Sequence, residues 1–263
     1  MQDFNIHTHT TRCNHAIGKD EEYVLAAIKN GIKHLGFSDH VPYTDSYSDH
    51  DRMRYDELED YIESIQFLKE KYKNQITIYL GFECEYYPNK NAYYSELLER
   101  VDYLILGQHY PNIDGIDFCI SATDEEIEKY AELVCAGIES GYFSYVAHLE
   151  YFMLARNSWN KQCTEVIDTI CKTAKKYNTP IEINLKGLSY GLHDFSDGTS
   201  YFYPNKNALP IYQKYDNRFV YGLDCHDPEL FSKMNQYINE FNETFPNNNL
   251  CFIENIHDLK NFN

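Results

Sequence analysis

The sequence has few basic residues and no long apolar run. Lysine and arginine together number 23 against 41 acidic residues, which gives the 263-residue chain a formal net charge of −18 with its histidines neutral. Nucleic-acid backbones and anionic membrane surfaces both select clustered basic side chains, so this balance argues against either as the main partner. No apolar run approaches the roughly 18 residues that a membrane span needs.

Paired cysteines and a signal-peptide pattern are also missing. The eight cysteines form no CxxC pair and no dense framework, which predicts reduced thiols. Residues 1–5 do not show the basic and then apolar pattern of a signal peptide, so we expect a cytoplasmic protein. A content of 43% hydrophobic residues is enough for a large core, and no Pro/Gly/Ser-rich linker interrupts the chain. We therefore predict one domain over residues 1–263.

Short apolar runs alternate with amphipathic stretches along the chain. Helical patterns begin at Asp20, near Leu58, after Thr123 with Glu126 as a capping-box partner, near Trp159 and after Pro228. Strand–helix alternation repeated about seven times predicts an α/β fold, either a parallel barrel or a doubly wound sheet. The predicted strands are residues 3–6, 34–37, 76–80, 103–106, 144–147, 181–184 and 218–221.

Imidazole and carboxylate side chains follow six of these seven strands. In a parallel barrel the strand ends meet on one face, so residues far apart in the sequence would converge there. Both groups are ligands of Zn, Mn and Fe, and their number predicts more than one ion. The candidates in chain order are His7, His9, His15, Asp39, His40, Glu83, Glu85, His109, His148, Asp224 and His226.

Each candidate alone has an ordinary structural interpretation. A lone histidine after a buried strand is usually a core residue, and a lone acid can cap a turn. Recurrence at successive strand ends is hard to explain as coincidence, so we favour metal ligation. Four histidines do not fit the pattern, and one of them lies in the charged run 45–54, which we interpret as a lid or a solvated loop; the four are His34, His50, His193 and His257.

The spaced motifs resemble those of the polymerase and histidinol phosphatase (PHP) superfamily. They are His7-Thr8-His9, Arg12-Cys13-Asn14-His15, Gly36-Phe37-Ser38-Asp39-His40, Gly81-Phe82-Glu83, Gln108-His109-Tyr110, Ala147-His148 and Asp224-Cys225-His226. Within this superfamily, residues 55–72 and 81–88 look like the corresponding segments of the stand-alone histidinol-phosphate phosphatases.

The resemblance implies a distorted, TIM-like (β/α)7 barrel with a trinuclear centre of divalent ions (Zn, Mn or Fe). It also implies which residues would hold each ion. The first ion would be held by His7, His9, Glu83 and Asp224, the second by Glu83, His109 and His148, and the third by His15, His40 and His226.

We therefore expect a metal-dependent phosphomonoesterase that acts on a small phosphate ester, L-histidinol phosphate, through a metal-activated hydroxide. The catalytic candidates are Glu83, Asp224 and His226, and the phosphate-binding candidates are Arg156 and Lys186. Three alternatives stay open: another phosphate substrate (a small ester, a nucleotide or a phosphotyrosine protein), a metal-binding protein without turnover, and an amidohydrolase barrel. The sequence does not decide the oligomeric state.

Overall fold

A computed structural model describes residues 2–46 and 51–262 of the chain. Its regular elements alternate between parallel strands and helices, as the sequence predicts. His50, which we interpret as part of a lid or a solvated loop, lies outside the described residues, together with the middle of the run 45–54. No helix in the described part of the chain combines the length and the apolar character needed to cross a bilayer.

The strands are short and mostly buried. The predicted run 144–147 contributes only isolated bridges rather than a strand, and a small hairpin and a C-terminal strand were not predicted. The strands are β1 (Phe4–Asn5), β2 (His34–His40), β3 (Thr77–Cys84), β4 (Tyr103–Leu106), β5 (Ile181–Asn184), β6 (His193–Phe195), β7 (Gly198–Ser200), β8 (Arg218–Gly222) and β9 (Cys251–Phe252).

The helices cover the outer faces of the strands. The capping box at Thr123 is confirmed, because its hydroxyl accepts the backbone N–H of Glu126 and the Glu126 carboxylate accepts the backbone N–H of Thr123. The helices are α1 (Asp20–Lys29), α2 (Leu58–Tyr72), α3 (Asn91–Leu98), α4 (Asp124–Ser140), α5 (Lys161–Tyr177), α6 (Lys186–Ser189), α7 (Leu209–Lys214) and α8 (Met234–Thr244).

The strands pair in parallel in two groups. One sheet has the order β1-β2-β3-β4 and the other has the order β5-β8-β9, while β6 and β7 form an antiparallel pair. Isolated parallel bridges join the groups at both sides: Val146 bridges to Leu106 and to Ile181, and Thr8 bridges to Cys225. The carboxyl ends of the strands therefore meet at one edge.

Two apolar clusters support this edge. The larger cluster lies between the strands and the helices that cover them. The smaller cluster contains alternating strand residues such as Tyr103, Ile105 and Val220 together with the C-terminal residues Ile253 and Phe262. The metal-ligand candidates lie beyond the other ends of the strands, so the fold fills one end with apolar side chains and leaves the other for polar ones.

Candidate metal centre

Nine predicted metal ligands come together at the carboxyl ends of the strands. Three of the ligands lie at the end of a regular strand or shortly after it: His40 ends β2, Glu83 lies near the end of β3 and Asp224 follows β8. The others lie in the segments that follow β1, β4 and β8, and after Val146. We call the following nine residues the donor cluster: His7, His9, His15, His40, Glu83, His109, His148, Asp224 and His226.

Glu83 is the carboxylate that most histidines approach. Its position opposite His40 is set by the parallel register of β2 and β3. Its two oxygens face different histidines, so a single carboxylate could bridge two ions. Oε2 lies 3.4 Å from His7 Nε2, 3.4 Å from His9 Nε2 and 3.1 Å from His40 Nδ1, and Oε1 lies 2.7 Å from His148 Nε2 and 3.6 Å from His109 Nε2.

The remaining donors form an inner and an outer group. In the inner group, Asp224 Oδ1 lies 3.2 Å from His9 Nε2 and 3.7 Å from His7 Nε2. In the outer group, His15 Nε2 and His226 Nε2 are 2.8 Å apart, and a His40 nitrogen completes a set within 4.8 Å. His15 is exposed, so the outer group borders solvent.

The residues present suit divalent metal ions. Buried polar atoms normally have hydrogen-bond partners. In the described part of the chain, three buried atoms that face other members of the cluster have none: His7 Nε2, His9 Nε2 and Glu83 Oε2. Neutral imidazoles and carboxylates are the ligands of zinc and of related transition metals, and lone pairs aimed at a common point are what such ions require.

Charge within the cluster keeps the carboxylate ionised. Burial alone would raise the pKa of Glu83, but His7, His109, His40 and His148 together hold it well below its usual value. Burial, with His9 and Lys186 nearby, lowers the pKa of His226 to about 3, so this imidazole is neutral and able to ligate at ordinary pH.

A carboxylate behind the cluster orients two of its histidines. Glu182, on β5, accepts a hydrogen bond from His7 Nδ1 through Oε1 at 2.7 Å, and Oε2 accepts the backbone N–H of His148 at 3.1 Å. This arrangement leaves His7 Nε2 facing the donors, as a metal-ligating histidine requires. Glycine makes room for both buried carboxylates, since a Cβ at Gly222 would overlap Glu182 and one at Gly107 would overlap Glu83.

A buried arginine was missed by the sequence analysis, which placed Arg52 in a solvated loop. Its side chain is only 4% exposed, and it donates to both oxygens of Glu85 at 2.9 and 3.1 Å. Glu85 Oε1 in turn lies 3.1 Å from His109 Nδ1, which directs His109 Nε2 toward Glu83. The available signal was the position of Glu85, two residues after Glu83 on the same face, because a buried carboxylate needs a cation.

Two ligand candidates have strained backbones. His148 has φ of 27° and Asp224 has φ of 46°, in the left-handed region that L side chains rarely adopt. Such conformations cost about 1–3 kcal/mol and concentrate at functional sites. Here they occur at two side chains that face the donor cluster, one shortly after the bridges at Val146 and one after β8.

The donor cluster opens into a cavity of about 250 Å³, which we call the donor cavity. Lys186 lines it, with Nζ 3.4 Å from Asp224 Oδ2 and 3.1 Å from His226 Nδ1. The structure places Arg156 elsewhere: its guanidinium donates to Asp124 and to the Ala122 carbonyl in an adjacent cavity of about 610 Å³. The turn at Tyr151–Ala155 carries Arg156 away from the histidine that precedes it.

Three of the histidines given no metal role, His34, His193 and His257, do not line the donor cavity. His34 begins β2 at the opposite end of the strands, where its ring centroid is 6.0 Å from that of His257. His193 lines the adjacent cavity and stacks on Phe202.

Comparison with protein families identifies this arrangement. The model of the PHP domain matches residues 5–186, well over half of the chain. The chain belongs to the PHP domain family. The match includes seven members of the donor cluster and ends before Asp224 and His226, which the parallel bridge between Thr8 and Cys225 brings to the same place.

Individual relatives carry consistent names. Histidinol-phosphatase of Bacillus subtilis is 29% identical over 155 residues, which is 55% of this chain and 58% of that protein. A Deinococcus radiodurans protein named "Probable histidinol-phosphatase" is 30% identical over 153 residues, which is 55% of this chain and 59% of that protein. The alignments thus span somewhat under two thirds of the length of these two relatives.

A solved structure shares the fold. The Lactococcus lactis histidinol phosphate phosphatase, complexed with zinc, L-histidinol and phosphate, superposes with a TM-score of 0.66 at 15% identity, covering 95% of each chain. This likeness confirms an α/β fold with a parallel four-stranded sheet.

Proposed function

We propose that this protein is a metal-dependent phosphomonoesterase that hydrolyses L-histidinol phosphate to L-histidinol and phosphate. The observation that carries the proposal is the donor cluster itself, in which buried imidazole and carboxylate atoms face one another without hydrogen-bond partners beside an open cavity. The names of the Bacillus subtilis and Lactococcus lactis proteins support the choice of substrate.

We further propose three ions, Zn, Mn or Fe, held by three overlapping groups of ligands. The distances around Glu83 support a shared carboxylate between the first two groups, and the close approach of His15 to His226 supports the third. The groups are His7, His9, Glu83 and Asp224; Glu83, His109 and His148; and His15, His40 and His226.

The proposed chemistry divides between the ions and the protein. Bound divalent ions lower the pKa of a coordinated water and neutralise phosphate charge. Glu83, Asp224 and His226 are the proposed catalytic residues, because they would hold the reacting groups in place. Lys186 is the proposed phosphate-binding residue, since Nζ lies at the cavity wall and Asp224 keeps it charged by raising its pKa against the effect of burial.

We also propose that the two parallel sheets form one distorted seven-stranded barrel in a single domain. The bridges at Val146 support continuity between β4 and β5, and the bridge between Thr8 and Cys225 supports closure between β8 and β1. A closed arrangement explains why ligands from both sheets reach the same cluster.

The test is phosphate release by purified protein loaded with Zn, Mn or Fe(II). We expect the highest kcat/KM on L-histidinol phosphate in a panel that includes a nucleoside monophosphate, phosphotyrosine and glycerol phosphate, and loss of turnover in Glu83→Gln. A clear preference for another ester would overturn the substrate assignment. Bound metal without release from any ester would show a metal-binding protein and overturn the whole proposal.

A further inference from the structure

Asp117 is a carboxylate on the wall of the donor cavity that is not part of the donor cluster. It lies in the segment between β4 and α4 and is half-buried. The backbone N–H of Phe118 donates to the carbonyl of His109 at 2.9 Å, which fixes this segment relative to the cluster. The position of the carboxylate is therefore set by the same residues that position a proposed metal ligand.

The partners of Asp117 are all neutral. Its Oδ1 accepts the backbone N–H of Cys119 at 2.6 Å, and its Oδ2 accepts the hydroxyl of Tyr151 at 3.2 Å. No lysine, arginine or histidine in residues 2–46 and 51–262 forms an ion pair with it. Asp51, another carboxylate on this wall, differs because Arg52 lies 3.2 Å away. Asp117 thus presents to the cavity a carboxylate that no ion pair among the described residues engages.

One aromatic ring separates Asp117 from the donor cluster. The Tyr151 ring centroid lies 4.9 Å from that of His109 and 5.1 Å from that of His148. Asp117 therefore lies one ring away from the donors at which a phosphate ester would be held. In L-histidinol phosphate, the carbon that carries the ammonium group is directly bonded to the ester methylene, so a cation would lie close to the phosphate.

We infer that Asp117 binds the ammonium group of the substrate and thereby makes the enzyme selective for phosphate esters of amino alcohols. The inference rests on the proposed function, which it extends from reaction type to substrate recognition. The phosphate end binds through positive charge and the ammonium end binds through this carboxylate, so the two ends of the substrate are distinguished by opposite electrostatics.

The test compares two substrates in Asp117→Asn. We expect kcat/KM on L-histidinol phosphate to fall about 10- to 100-fold, as for loss of a hydrogen bond between charged groups, while kcat/KM on phenyl phosphate changes less than about threefold. The inhibition constant of L-histidinol should rise by a similar factor, and that of inorganic phosphate should stay unchanged. Asp114→Asn is the matched control, because Asp114 is exposed in the same loop and should leave both substrates unaffected.

Metal content and thermal unfolding of both variants complete the experiment. Loss of metal from Asp117→Asn would show that the carboxylate serves an ion, and equal losses on both substrates would show a structural role; either result overturns the inference. Wild-type protein that cleaves L-histidinol phosphate while Asp117→Asn keeps its preference refutes this inference alone. Wild-type protein that is inactive on L-histidinol phosphate refutes the proposed function instead.

Discussion

Replacing Glu182 with glutamine should weaken metal binding without removing a ligand. The carboxylate accepts from His7 Nδ1, from the His148 backbone N–H and from Asn184 Nδ2, at 2.7, 3.1 and 2.8 Å respectively. Glutamine has one oxygen and one NH2 group, so in either orientation an NH2 donor faces an N–H donor. His7 or His148 must then move away from the geometry in which it faces the donor cluster.

The expected magnitude follows from the role of such residues behind a metal site. Loss of a partner that orients a ligand typically costs 10- to 100-fold in metal affinity, or about 1.4–2.7 kcal/mol. Because Glu182 holds two members of the cluster, we expect Glu182→Gln to lie toward the upper end of this range. Competition with a fluorescent zinc chelator at pH 7.5 measures the affinity independently of turnover.

Glu150→Gln provides the matched control. Glu150 is equally buried and accepts the backbone N–H of Asn205 at 3.0 Å, but it does not contact the donor cluster. Burial raises its pKa to about 7, so a neutral side chain at this position costs little. We expect wild-type metal affinity in this variant. Equal affinities for wild type, Glu182→Gln and Glu150→Gln would show that Glu182 does not orient the ligands.

Three further predictions test other parts of the centre. Gly107→Ala should displace Glu83 and lower metal affinity by at least about 100-fold. Gly81→Ala places its methyl group against the Tyr103 ring instead, so it should cost about 1–3 kcal/mol of stability and spare metal binding. Similar metal affinities in the two variants would contradict this prediction. Metal binding at pH 7 should release protons, because neighbouring carboxylates outweigh burial and raise the pKa of His109 to about 9 in the metal-free protein. Metal affinity should therefore fall as the pH falls. Calorimetry in buffers of different ionisation enthalpy measures the proton release, and a binding heat that does not depend on the buffer would refute it. Arg52→Met should remove the arginine partner of the buried Glu85 carboxylate and destabilise the protein by about 3–5 kcal/mol in thermal or urea unfolding. An unchanged midpoint would contradict the buried ion pair.

Much of the centre follows from strand periodicity and sequence spacing. The alternation in His7-Thr8-His9 predicts two imidazoles on one face, and both face Glu83 in the structure. The convergence of strand ends predicts that His148 and Glu83 share one pocket, and the two lie 2.7 Å apart in the structure although 65 positions separate them. Both inferences need only the direction of parallel strands, which is why they did not depend on side-chain detail.

The rest depends on contacts that local sequence does not encode. Arg52 lies in a charged run, and only its long-range contact with Glu85 shows that it is buried. Arg156 comes eight residues after a ligand candidate, but the intervening turn at Tyr151–Ala155 redirects the chain. Residues 144–147 have a strand-like composition yet form only bridges, since within them Val146 alone pairs, with Leu106 on one side and Ile181 on the other.

The exposure of His15 has a consequence for how the protein would respond to its surroundings. On the three-ion proposal, the ion held by His15, His40 and His226 is the one in direct contact with solvent, whereas the inner ligands are almost completely enclosed. Exchange with an external chelator should remove this outer ion first and the enclosed pair much later. Catalytic capacity would then follow the supply of free metal around the protein while the folded scaffold keeps its other ions.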